Sequence, residues 1–381
     1  MYNTTINGEL NNPKIINRIN KYMPFSDVPC EAKSQINKAG KILIKEPTEY
    51  NRDYFDAIYL ANRWRACHAY PINTFQSTLR TKVKSSVFGH NPIVAQRLKR
   101  MPTIIDKLKR YSPNMQLTTM QDIGGVRAIL DTIDNVYRLA REYRDSKQLL
   151  HKLVHEYDYI QNPRDEDGYR SLHLIYKYKN KHAPQYNDLR VELQIRTKLQ
   201  HVWATAVETM GTFLGQALKS RQGDKKWIDF FAVVSSAFAH QEKTSLVPHC
   251  AKLSRKETFL EVAQAEKDLG ALEIMDGFAL AANDIAKQRV PGKSWSYHLI
   301  VLDSLSKVVN ITAFDRESLA EALTEYSKVE AQAAQGMKIE PVLVSAGRID
   351  TLRQAYPNFF LDITEFIGNV KQIVASTIDK S

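Results

Sequence analysis

Residues Val191–Thr197 alternate between apolar and polar side chains, which is typical of a half-buried β-strand. The apolar positions are Val191, Leu193 and Ile195, and the polar positions are Glu192, Gln194 and Arg196. An ordinary strand alternates in the same way, so the pattern by itself predicts only local structure. The polar face is less ordinary, because a carboxylate, an amide and a guanidinium together could hold a metal ion and a phosphate.

The spacing of apolar residues upstream of this strand predicts a helical region followed by an α+β unit. The chain from Met1 to about Ser112 is predicted to be helical, with helices at Asn12–Met23, Cys30–Lys45, Asn51–Tyr70, Asn73–Phe88 and Ile93–Arg110. Pro71 is expected to separate two of these helices, and Pro102 to kink or break the last one. The predicted strands are Met120–Leu130, Val154–Ile160, Ser171–Tyr178 and Asp188–Thr197, and the predicted helices between and after them are Asp134–Leu150 and Lys198–Leu218. This β-α-β-β-β-α order predicts an α+β fold with a mixed sheet flanked by helices.

The second half of the chain has its own pattern, and it contains no cluster of residues that looks catalytic. A basic linker, Lys219–Lys226, precedes predicted helices at Trp227–Gln241 and Ser254–Arg289. Two strands (Ser296–Asp303 and Lys307–Phe314), a helix (Arg316–Gln335) and a third strand (Ile339–Ser345) are then expected. The predicted domains are 1–75 (N-terminal helical region), 76–220 (α+β unit), 221–290 (helical connector) and 291–381 (a smaller C-terminal α/β region).

Composition narrows the class of protein. The 381 residues are 43% hydrophobic and 25% charged, and they contain neither an apolar run long enough for a membrane span nor an apolar N-terminal core typical of a signal peptide. The three cysteines lie far apart, which argues against a disulfide scaffold and favours a reducing compartment, with the cytoplasm as the default.

Positive charge is concentrated in one stretch of the chain. The formal net charge is +11, and between Asn73 and Arg110 nine Lys/Arg residues face a single acid, Asp106. Such an excess favours a polyphosphate or nucleic-acid partner. A solvated basic helix face explains it equally well.

Three stretches carry residues that could support phosphate chemistry. The first has the spacing R-x-K-x3-T-I-x2-K, with Arg97, Lys99, Thr103 and Lys107. Cations and a hydroxyl are suited to a triphosphate, although basic helices are common.

The second stretch is QDIGGVR, in which Asp122 precedes two glycines and Arg127. In a regular strand Asp122 and Arg127 would face opposite sides, so both can serve one site only if Gly124–Gly125 distorts the strand. The alternative is a turn aspartate beside a surface arginine.

The third stretch, Tyr157–Leu174, contains a loop that could stack an aromatic ring on a base and clamp a phosphate. Its candidate residues are Arg164, Tyr169, Arg170 and His173. A hairpin with a core tyrosine remains the alternative. For His173 and His201 hydrogen bonding is favoured over metal binding, and the H-x3-H pair His151/His155 lacks a third metal ligand nearby.

Taken together, Asp122 and Glu192 are two carboxylates on strands that could be neighbours. Two carboxylates typically bind Mg²⁺ through the phosphates of a nucleotide, and one of them can accept a proton from an attacking hydroxyl. The combination predicts phosphoryl or pyrophosphoryl transfer from a nucleotide. No G-x4-G-K-[ST] loop occurs, which excludes a P-loop enzyme.

Five motifs in order resemble the synthetase domain of the RelA/SpoT nucleotide pyrophosphokinases. They are Arg97–Lys107, DIGGVR (Asp122–Arg127), DYI-x2-PR (Asp158–Arg164), DGYRSLH (Asp167–His173) and VELQIRT-x3-H-x-WA (Val191–Ala204), and the likeness covers roughly residues 80–218.

This resemblance implies a role for each candidate residue. Arg97 and Arg127 would sandwich the adenine of ATP, which requires a bulge at the two glycines, and Lys99, Thr103 and Lys107 would hold the triphosphate. Asp122 and Glu192 would bind Mg²⁺, and Glu192 would deprotonate a ribose 3′-hydroxyl that attacks the β-phosphorus. The acceptor side would comprise Tyr169 as the stacking platform, with Arg164, His173, Gln194, Arg196 and His201 around it.

Two departures from the family pattern bear on the substrate. Members that act on guanine nucleotides usually carry PK-x-NGY, whereas PRDEDGY has Arg164 for the lysine, Asp167 for the asparagine and one extra residue. This difference puts GTP or GDP in doubt as acceptor. The chain also has no His-Asp dipeptide, so the hydrolase domain of the long members is missing.

The flanking sequences are similar to the toxic small alarmone synthetases, particularly the fused toxin–antitoxin type called CapRel. The segments that carry this similarity are Tyr70–Gln76, His201–Ser220 and Ala355–Asp362. It implies transfer to the 3′ CCA end of tRNA, which blocks translation, and a C-terminal region, resembling a zinc finger without its metal, that restrains the toxin and senses a phage capsid protein. Tyr356 and Phe359 would then cover the adenine pocket, although a core aromatic contact is an equal alternative. Synthesis of ppGpp or ppApp and a non-enzymatic RNA-binding module are the competing functions.

Overall fold

A computed structural model describes residues 31–45, 52–89, 92–213, 225–272, 275, 297–303, 308–315, 318–337, 339–345 and 364–378. The predicted helix Asn12–Met23 and the residues Tyr356 and Phe359 lie outside this described part.

Within residues 31–89 of the described part, three α-helices precede the first strand, and a five-stranded sheet follows them. The helices are α1 (Lys33–Leu43), α2 (Arg52–Ala66) and α3 (Ala69–Val83). The strands are β1 (Ile93–Leu98), β2 (Gly124–Leu130), β3 (Lys152–Asp158), β4 (Leu172–Lys177) and β5 (Arg190–Thr197), with α4 (Met101–Arg110) after β1, α5 (Ile133–Arg144) after β2 and α6 (Lys198–Phe213) after β5.

The sheet is mixed, with the order β1-β2-β5-β4-β3. Strands β2 and β5 are parallel at its centre, and the other three pairings are antiparallel. The predicted α+β class with a mixed sheet is therefore confirmed.

Helices α1–α3 share one hydrophobic core with the sheet. Gly124 shows how close α3 approaches, because a Cβ atom there would come within 2.7 Å of Ile72 Cδ1 and 3.1 Å of His68 Cβ. Leu79, Leu139 and Leu193 are fully buried in this core, which joins α3, α5 and β5. The helices thus fill one side of β2 and leave the side of Gly125 and Arg127 for other contacts.

A second hydrophobic cluster joins α6 to α7 (Lys225–Glu242), α8 (Arg255–Leu269) and α10 (Thr364–Ile378). Trp203, Phe231 and Phe366 lie within it, and Tyr169 from the loop before β4 belongs to it as well. A separate three-stranded antiparallel sheet of order β7-β6-β8 is formed by β6 (Tyr297–Asp303), β7 (Val308–Phe314) and β8 (Ile339–Ser345), with α9 (Leu319–Ala334) packed on it.

Several predicted elements are corrected. Ile93–Arg110 is not one helix, because residues 93–98 pair with β2 as an edge strand and Pro102 lies in the first turn of α4, where a missing N–H costs nothing. The two helices expected around Pro71 occur as α2 and α3, but the break between them lies at Cys67–His68, and Pro71 is in the first turn of α3. The predicted helix Ser254–Arg289 is interrupted after Leu269, where Gly270 takes a left-handed conformation with φ of 61°.

The predicted distortion at Gly124–Gly125 is also wrong. The β1–β2 and β2–β5 registers run through both glycines without a shift. Asp122 and Arg127 can still serve one site, because β2 begins at Gly124 and Asp122 lies before the strand, where the alternation of faces does not apply.

Among the described residues, no helix is both long and apolar enough to cross a membrane.

Candidate active site

One face of the five-stranded sheet carries most of the predicted polar residues, and it is called the site face below. Across neighbouring strands, Arg127 lies opposite Gln194 and Gln194 opposite His173. In the next row, Arg97 lies opposite Gly125 and Gly125 opposite Glu192. Because side chains two residues apart share a face, the site face includes Arg97, Arg127, His173, Glu192, Gln194 and Arg196.

Gly125 leaves an open place in this face between Arg97 and Glu192. A Cβ atom there would lie 3.7 Å from Glu192 Oε2. A glycine at this point therefore lets a ligand come close to the carboxylate of Glu192 and to the side chains of Arg97 and Arg127.

A chain of hydrogen bonds crosses the site face and fixes the orientation of Glu192. Arg127 Nε donates to Gln194 Oε1 (3.2 Å), and Gln194 Nε2 donates to Glu192 Oε2 (2.8 Å). The other carboxylate oxygen, Oε1, lies 2.9 Å from His173 Nδ1, and His173 Nε2 lies 2.9 Å from Tyr169 Oη. Both carboxylate oxygens of Glu192 are thus held in place before any ligand binds.

The pKa values of Glu192 and His173 move in opposite directions. Burial favours the neutral form of Glu192, but the neighbouring His173 outweighs it and lowers the pKa of the carboxyl. Burial alone would lower the pKa of His173, whereas Tyr169 and Glu192 raise it to about 9. At neutral pH the two form an ion pair, and Glu192 is ionised as a proton acceptor must be.

A second group of charges surrounds Asp122. Lys99 Nζ and Lys107 Nζ lie 3.0 and 2.9 Å from Asp122 Oδ2. Burial would raise the pKa of Asp122, but the two lysines hold it well below its usual range. Lys99 follows β1 and Lys107 lies on α4, and both contact a carboxylate that precedes β2. These two lysines are called the lysine clamp below.

Thr103 lies on α4 but faces a different space. It lines a cavity of about 460 Å³ whose far wall contains Glu330, Ala333, Ile339 and Pro341 from α9 and β8. The structure therefore brings Lys99 and Lys107 together at Asp122 but does not bring Thr103 to the same atom.

The residues present fit a divalent cation at Asp122. Its Oδ1 atom is buried and has no hydrogen-bond partner among the described residues, while Oδ2 takes both lysines. The negative charge of Asp122 acts to raise the pKa of Glu192, so the two carboxylates are within electrostatic range of each other. No group of three or more His, Cys, Asp or Glu that could hold a metal ion occurs in the described part of the chain.

Tyr169 is not an open stacking platform in this structure. Its side chain is only 7% exposed, the Arg164 guanidinium lies 4.5 Å from its ring centroid, and Tyr159 meets it edge-on. Arg164 is itself paired with Asp167, at 2.5 Å. A base can stack on Tyr169 only after Arg164 moves.

The loop of residues 160–171 is bound to α7, which the sequence did not predict. Arg170 Nε donates to Ser235 Oγ (2.8 Å) and Nη1 to the Ser245 carbonyl (2.6 Å), so Arg170 does not clamp a phosphate. Ser235 Oγ also donates to the Gly168 carbonyl (2.6 Å). Gly168 has a φ of 74°, and a Cβ atom there would lie 2.9 Å from Ala232 Cα, so a glycine is needed where the loop approaches α7.

The structure also shows the surroundings of Arg196, His201 and His151. Arg196 is fully buried and hydrogen-bonds to His201, so both lie beneath the site rather than at its mouth. His151 is stacked between Phe75 and Tyr178, away from His155. Glu208 on α6, which sequence analysis missed, adds a favourable charge beside the buried Arg127 and Arg196.

The residues of this site lie in a part of the chain that is similar to known proteins. Residues 96–211 match the family model described as the region found in RelA / SpoT proteins. The GTP pyrophosphokinase YwaC of Bacillus subtilis is 34% identical over 125 residues, 31% of this chain and 58% of the relative. The GTP pyrophosphokinase YjbM of the same organism is 34% identical over 119 residues, 30% of this chain and 55% of the relative. The chain thus spans somewhat more than half the length of these curated relatives.

Among solved structures, small alarmone synthetase 1 from Bacillus subtilis bound to its product pppGpp aligns with a TM-score of 0.42 and 24% identity, over 48% of this chain and 92% of that chain. The match to the family model spans the site face, Lys99, Lys107, Asp122 and the 160–171 loop, so the candidate active site lies in the part of the chain that is similar to the region found in RelA / SpoT proteins.

Proposed function

We propose that the chain is a pyrophosphokinase, which transfers the β,γ-pyrophosphoryl group of ATP to a ribose 3′-hydroxyl. The observation that carries the proposal is the pair of ionised carboxylates, Asp122 and Glu192, one neutralised by two lysines and the other by a histidine. The naming of the two relatives as GTP pyrophosphokinases supports the same reaction class.

ATP would occupy the space between β1, α4 and the site face. Arg97 and Arg127 share one face of β1 and β2, so their guanidinium planes can enclose an adenine. Lys99 and Lys107 would exchange Asp122 for the triphosphate, whereas Thr103 lines the cavity towards α9 and β8 and is given no phosphate contact. Asp122 and Glu192 would hold Mg²⁺, which when bound offsets phosphate charge.

Glu192 is the proposed general base. It would accept the proton of the acceptor 3′-hydroxyl while that oxygen forms a bond to the β-phosphorus and the bond from the β-phosphorus to the α-phosphate oxygen breaks, releasing AMP. Gln194 and His173 would keep the carboxylate oriented throughout.

A guanine nucleotide is the first candidate acceptor, because both relatives are named for GTP. Tyr169 would stack on its base after displacement of Arg164, and His173 and Gln194 would line the site. Arg196 and His201 would support this wall from beneath.

The 3′ CCA end of tRNA is the second candidate acceptor. The observation in its favour is that the acceptor motif departs from the guanine-nucleotide pattern at Arg164 and Asp167, and these two residues pair with each other instead of being free for a guanine. The formal charge of +11 is also suited to a polyanion.

Incubation with γ-labelled ATP and GDP, GTP, ADP or deacylated tRNA tests the proposal and identifies the acceptor. Labelled product on any acceptor, absent for Glu192→Gln, is the expected result. Absence of label on all four, both for the full chain and for the form truncated from Ala355, would overturn the pyrophosphokinase and leave a non-enzymatic RNA-binding module.

We further propose that the C-terminal region restrains the enzyme, as in a CapRel-type toxin–antitoxin fusion triggered by a phage capsid protein. Tyr356 and Phe359 would cover the adenine pocket. Deletion from Ala355, or Tyr356→Ala, is then expected to make expression toxic, whereas equal viability of full-length and truncated forms would contradict the restraint.

A further inference from the structure

The side chain of Arg164 lies where a base stacked on Tyr169 would lie. Its guanidinium carbon is 4.5 Å from the centroid of the Tyr169 ring, and its Nη2 atom is 2.5 Å from Asp167 Oδ2. A guanidinium is planar and carries N–H donors around its edge, as the amino-bearing edge of a nucleobase does. Arg164 therefore makes the two contacts that a base would make here, one with the face of Tyr169 and one with the carboxylate of Asp167.

The place that Arg164 occupies is next to the proposed general base. Tyr169 Oη lies 2.9 Å from His173 Nε2, and His173 Nδ1 lies 2.9 Å from Glu192 Oε1. Tyr159 meets the Tyr169 ring edge-on, with 5.8 Å between the ring centroids. A base resting on the face of Tyr169 is thus connected to Glu192 through one histidine.

The loop backbone holds Asp167 in place independently of the Arg164 side chain. Asp167 Oδ1 accepts a hydrogen bond from the Tyr169 backbone N–H (3.0 Å), and the Gly168 N–H donates to the Arg164 carbonyl (2.9 Å). The Asp167 side chain is 4% exposed and that of Arg164 is 28% exposed. Arg164 Nε is buried without a hydrogen-bond partner among the described residues, so the guanidinium is incompletely satisfied. The arginine side chain can therefore leave while the carboxylate stays.

Departure of Arg164 removes a donor from Asp167 Oδ2 in a nearly buried position. Loss of a hydrogen bond to a buried charged group is costly, so the group that replaces the guanidinium has to donate to the same oxygen. Adenine, cytosine and guanine each carry an exocyclic amino group that can do so. Uracil and hypoxanthine carry a carbonyl oxygen in place of the amino group of cytosine and of adenine, and a carboxylate repels that oxygen.

We propose that Arg164 is an internal occupant of the acceptor-base subsite, and that Asp167 selects the base that replaces it. Bases with an exocyclic amino group are accepted, and bases with a carbonyl oxygen at that position are rejected. The inference rests on the proposed pyrophosphokinase and concerns the choice of base alone. It applies equally to a free nucleotide and to a base at the end of an RNA.

Equilibrium binding of two nucleotide pairs measures this selection without turnover. The full chain, saturated with a non-hydrolysable ATP analogue and Mg²⁺, is titrated with CDP and UDP, and then with ADP and IDP, by isothermal titration calorimetry. In each pair the second nucleotide carries a carbonyl oxygen where the first carries an amino group. CDP and ADP are each expected to bind about 10-fold or more tightly than their counterparts, the scale of one hydrogen bond to a charged group.

Two variants separate the roles of the two residues. Asp167→Asn keeps the size of the side chain but can turn an N–H₂ group towards a carbonyl oxygen, so the preference within each pair is expected to fall to within about 2-fold. Arg164→Ala removes the internal occupant and is expected to tighten binding of both members of a pair about 2- to 5-fold, with the preference unchanged. Arg52→Ala on α2, whose side chain is 94% exposed, is the control and should alter neither quantity. Unchanged affinity for the ATP analogue shows that each variant is folded.

Several outcomes would overturn the inference. Wild-type protein that binds no member of either pair, or both members of each pair equally, would exclude selection by Asp167, as would an unchanged preference in Asp167→Asn. Weaker nucleotide binding by Arg164→Ala would exclude the internal occupant and assign Arg164 to the phosphates of the acceptor.

The base selection and the reaction can fail separately. Label transfer without any preference within the pairs would overturn the role of Asp167 and leave the pyrophosphokinase. A preference that depends on Asp167, without label transfer to any acceptor, would support the base subsite and overturn the reaction.

Discussion

At the scale of single residues, the site is organised by charge neutralisation before any substrate binds. Glu192 is held by His173 and Gln194, and Asp122 by Lys99 and Lys107. Each carboxylate is kept ionised by partners that a nucleotide or metal would partly replace. This preorganisation reduces the rearrangement needed when charge develops during the reaction.

Glu192→Gln is expected to lower kcat for pyrophosphoryl transfer by about 10²- to 10⁴-fold, because an amide cannot accept the proton of the hydroxyl. Binding of an ATP analogue is expected to persist, since the lysine clamp is unchanged. Glu261→Gln on the exposed side of α8 is the control, and its rate should match wild type. Equal rates for the two variants would contradict the role of Glu192.

Asp122→Asn is expected to lower the free energy of unfolding by about 1–3 kcal/mol at pH 7, because two charge-assisted hydrogen bonds are weakened and two lysines lose their counter-charge. The folded-state pKa of Asp122 lies below its unfolded value of about 4. The contribution of ionised Asp122 to the free energy of unfolding is therefore present above about pH 4, and it is lost as the pH falls below that value. Urea denaturation at pH 7, 5 and 3 should show the difference between wild type and variant shrinking only at the lowest pH.

At the scale of elements, α7 is the unexpected component of the site. It fixes the 160–171 loop through Ser235, and its last residue, Glu242, accepts hydrogen bonds from Thr197 and Gln200 at the junction of β5 and α6. An element outside the family-matched region thus supports both Tyr169 and the end of the strand that carries Glu192.

Gly168→Ala is expected to separate the loop from α7, since the new Cβ would lie 2.9 Å from backbone and side-chain atoms of that helix. Gly270→Ala is the matched control, because Gly270 also has a positive φ but nothing within 4 Å of the added atom. The control should cost about 1 kcal/mol, the backbone penalty alone, and Gly168→Ala at least about 1–3 kcal/mol more, the cost of overpacking. Urea midpoints that are the same for both variants would show that the loop does not depend on its fit to α7.

At the scale of the whole molecule, the chain combines a positive net charge with three cations that lie opposite one another on β3, β4 and β5, namely Lys152, Lys177 and Arg190; they are called the basic row. The net charge attracts any polyanion at long range, whereas the basic row can contact its phosphates directly. These two effects can be separated by their dependence on salt.

The KM for an RNA acceptor is expected to rise steeply with salt, and the KM for GDP only weakly. Three phosphate contacts at the basic row predict a slope of about −2 for the logarithm of RNA affinity against the logarithm of salt concentration. Lys177→Ala should reduce the magnitude of that slope by about 0.7, the value for one phosphate on a single strand. Kinetics from 50 to 300 mM KCl provide the measurement, and an unchanged slope would count against a contact at Lys177.

The sequence alone was enough to predict strand β5 and the main charged residues of the candidate site, because both can be inferred from neighbouring positions in the chain. Alternation predicted β5 and placed Glu192, Gln194 and Arg196 on one face, because the period of a strand is a property of its own backbone. Motif order also identified Asp122 and the two lysines of its clamp.

Only the tertiary structure decided which strands lie side by side. It made Ile93–Leu98 an edge strand instead of a helix and bound Arg170 to α7. It also set His155 in register with Glu192, and Tyr157 in register with Gln194. The alternation of Val191–Thr197 could not reveal these neighbours, because register and packing depend on partners distant in the chain, and a shift of one residue would turn every side chain to the other face. The polar face predicted for Val191–Thr197 is therefore one strip of a larger surface that extends from Arg97 to Tyr157.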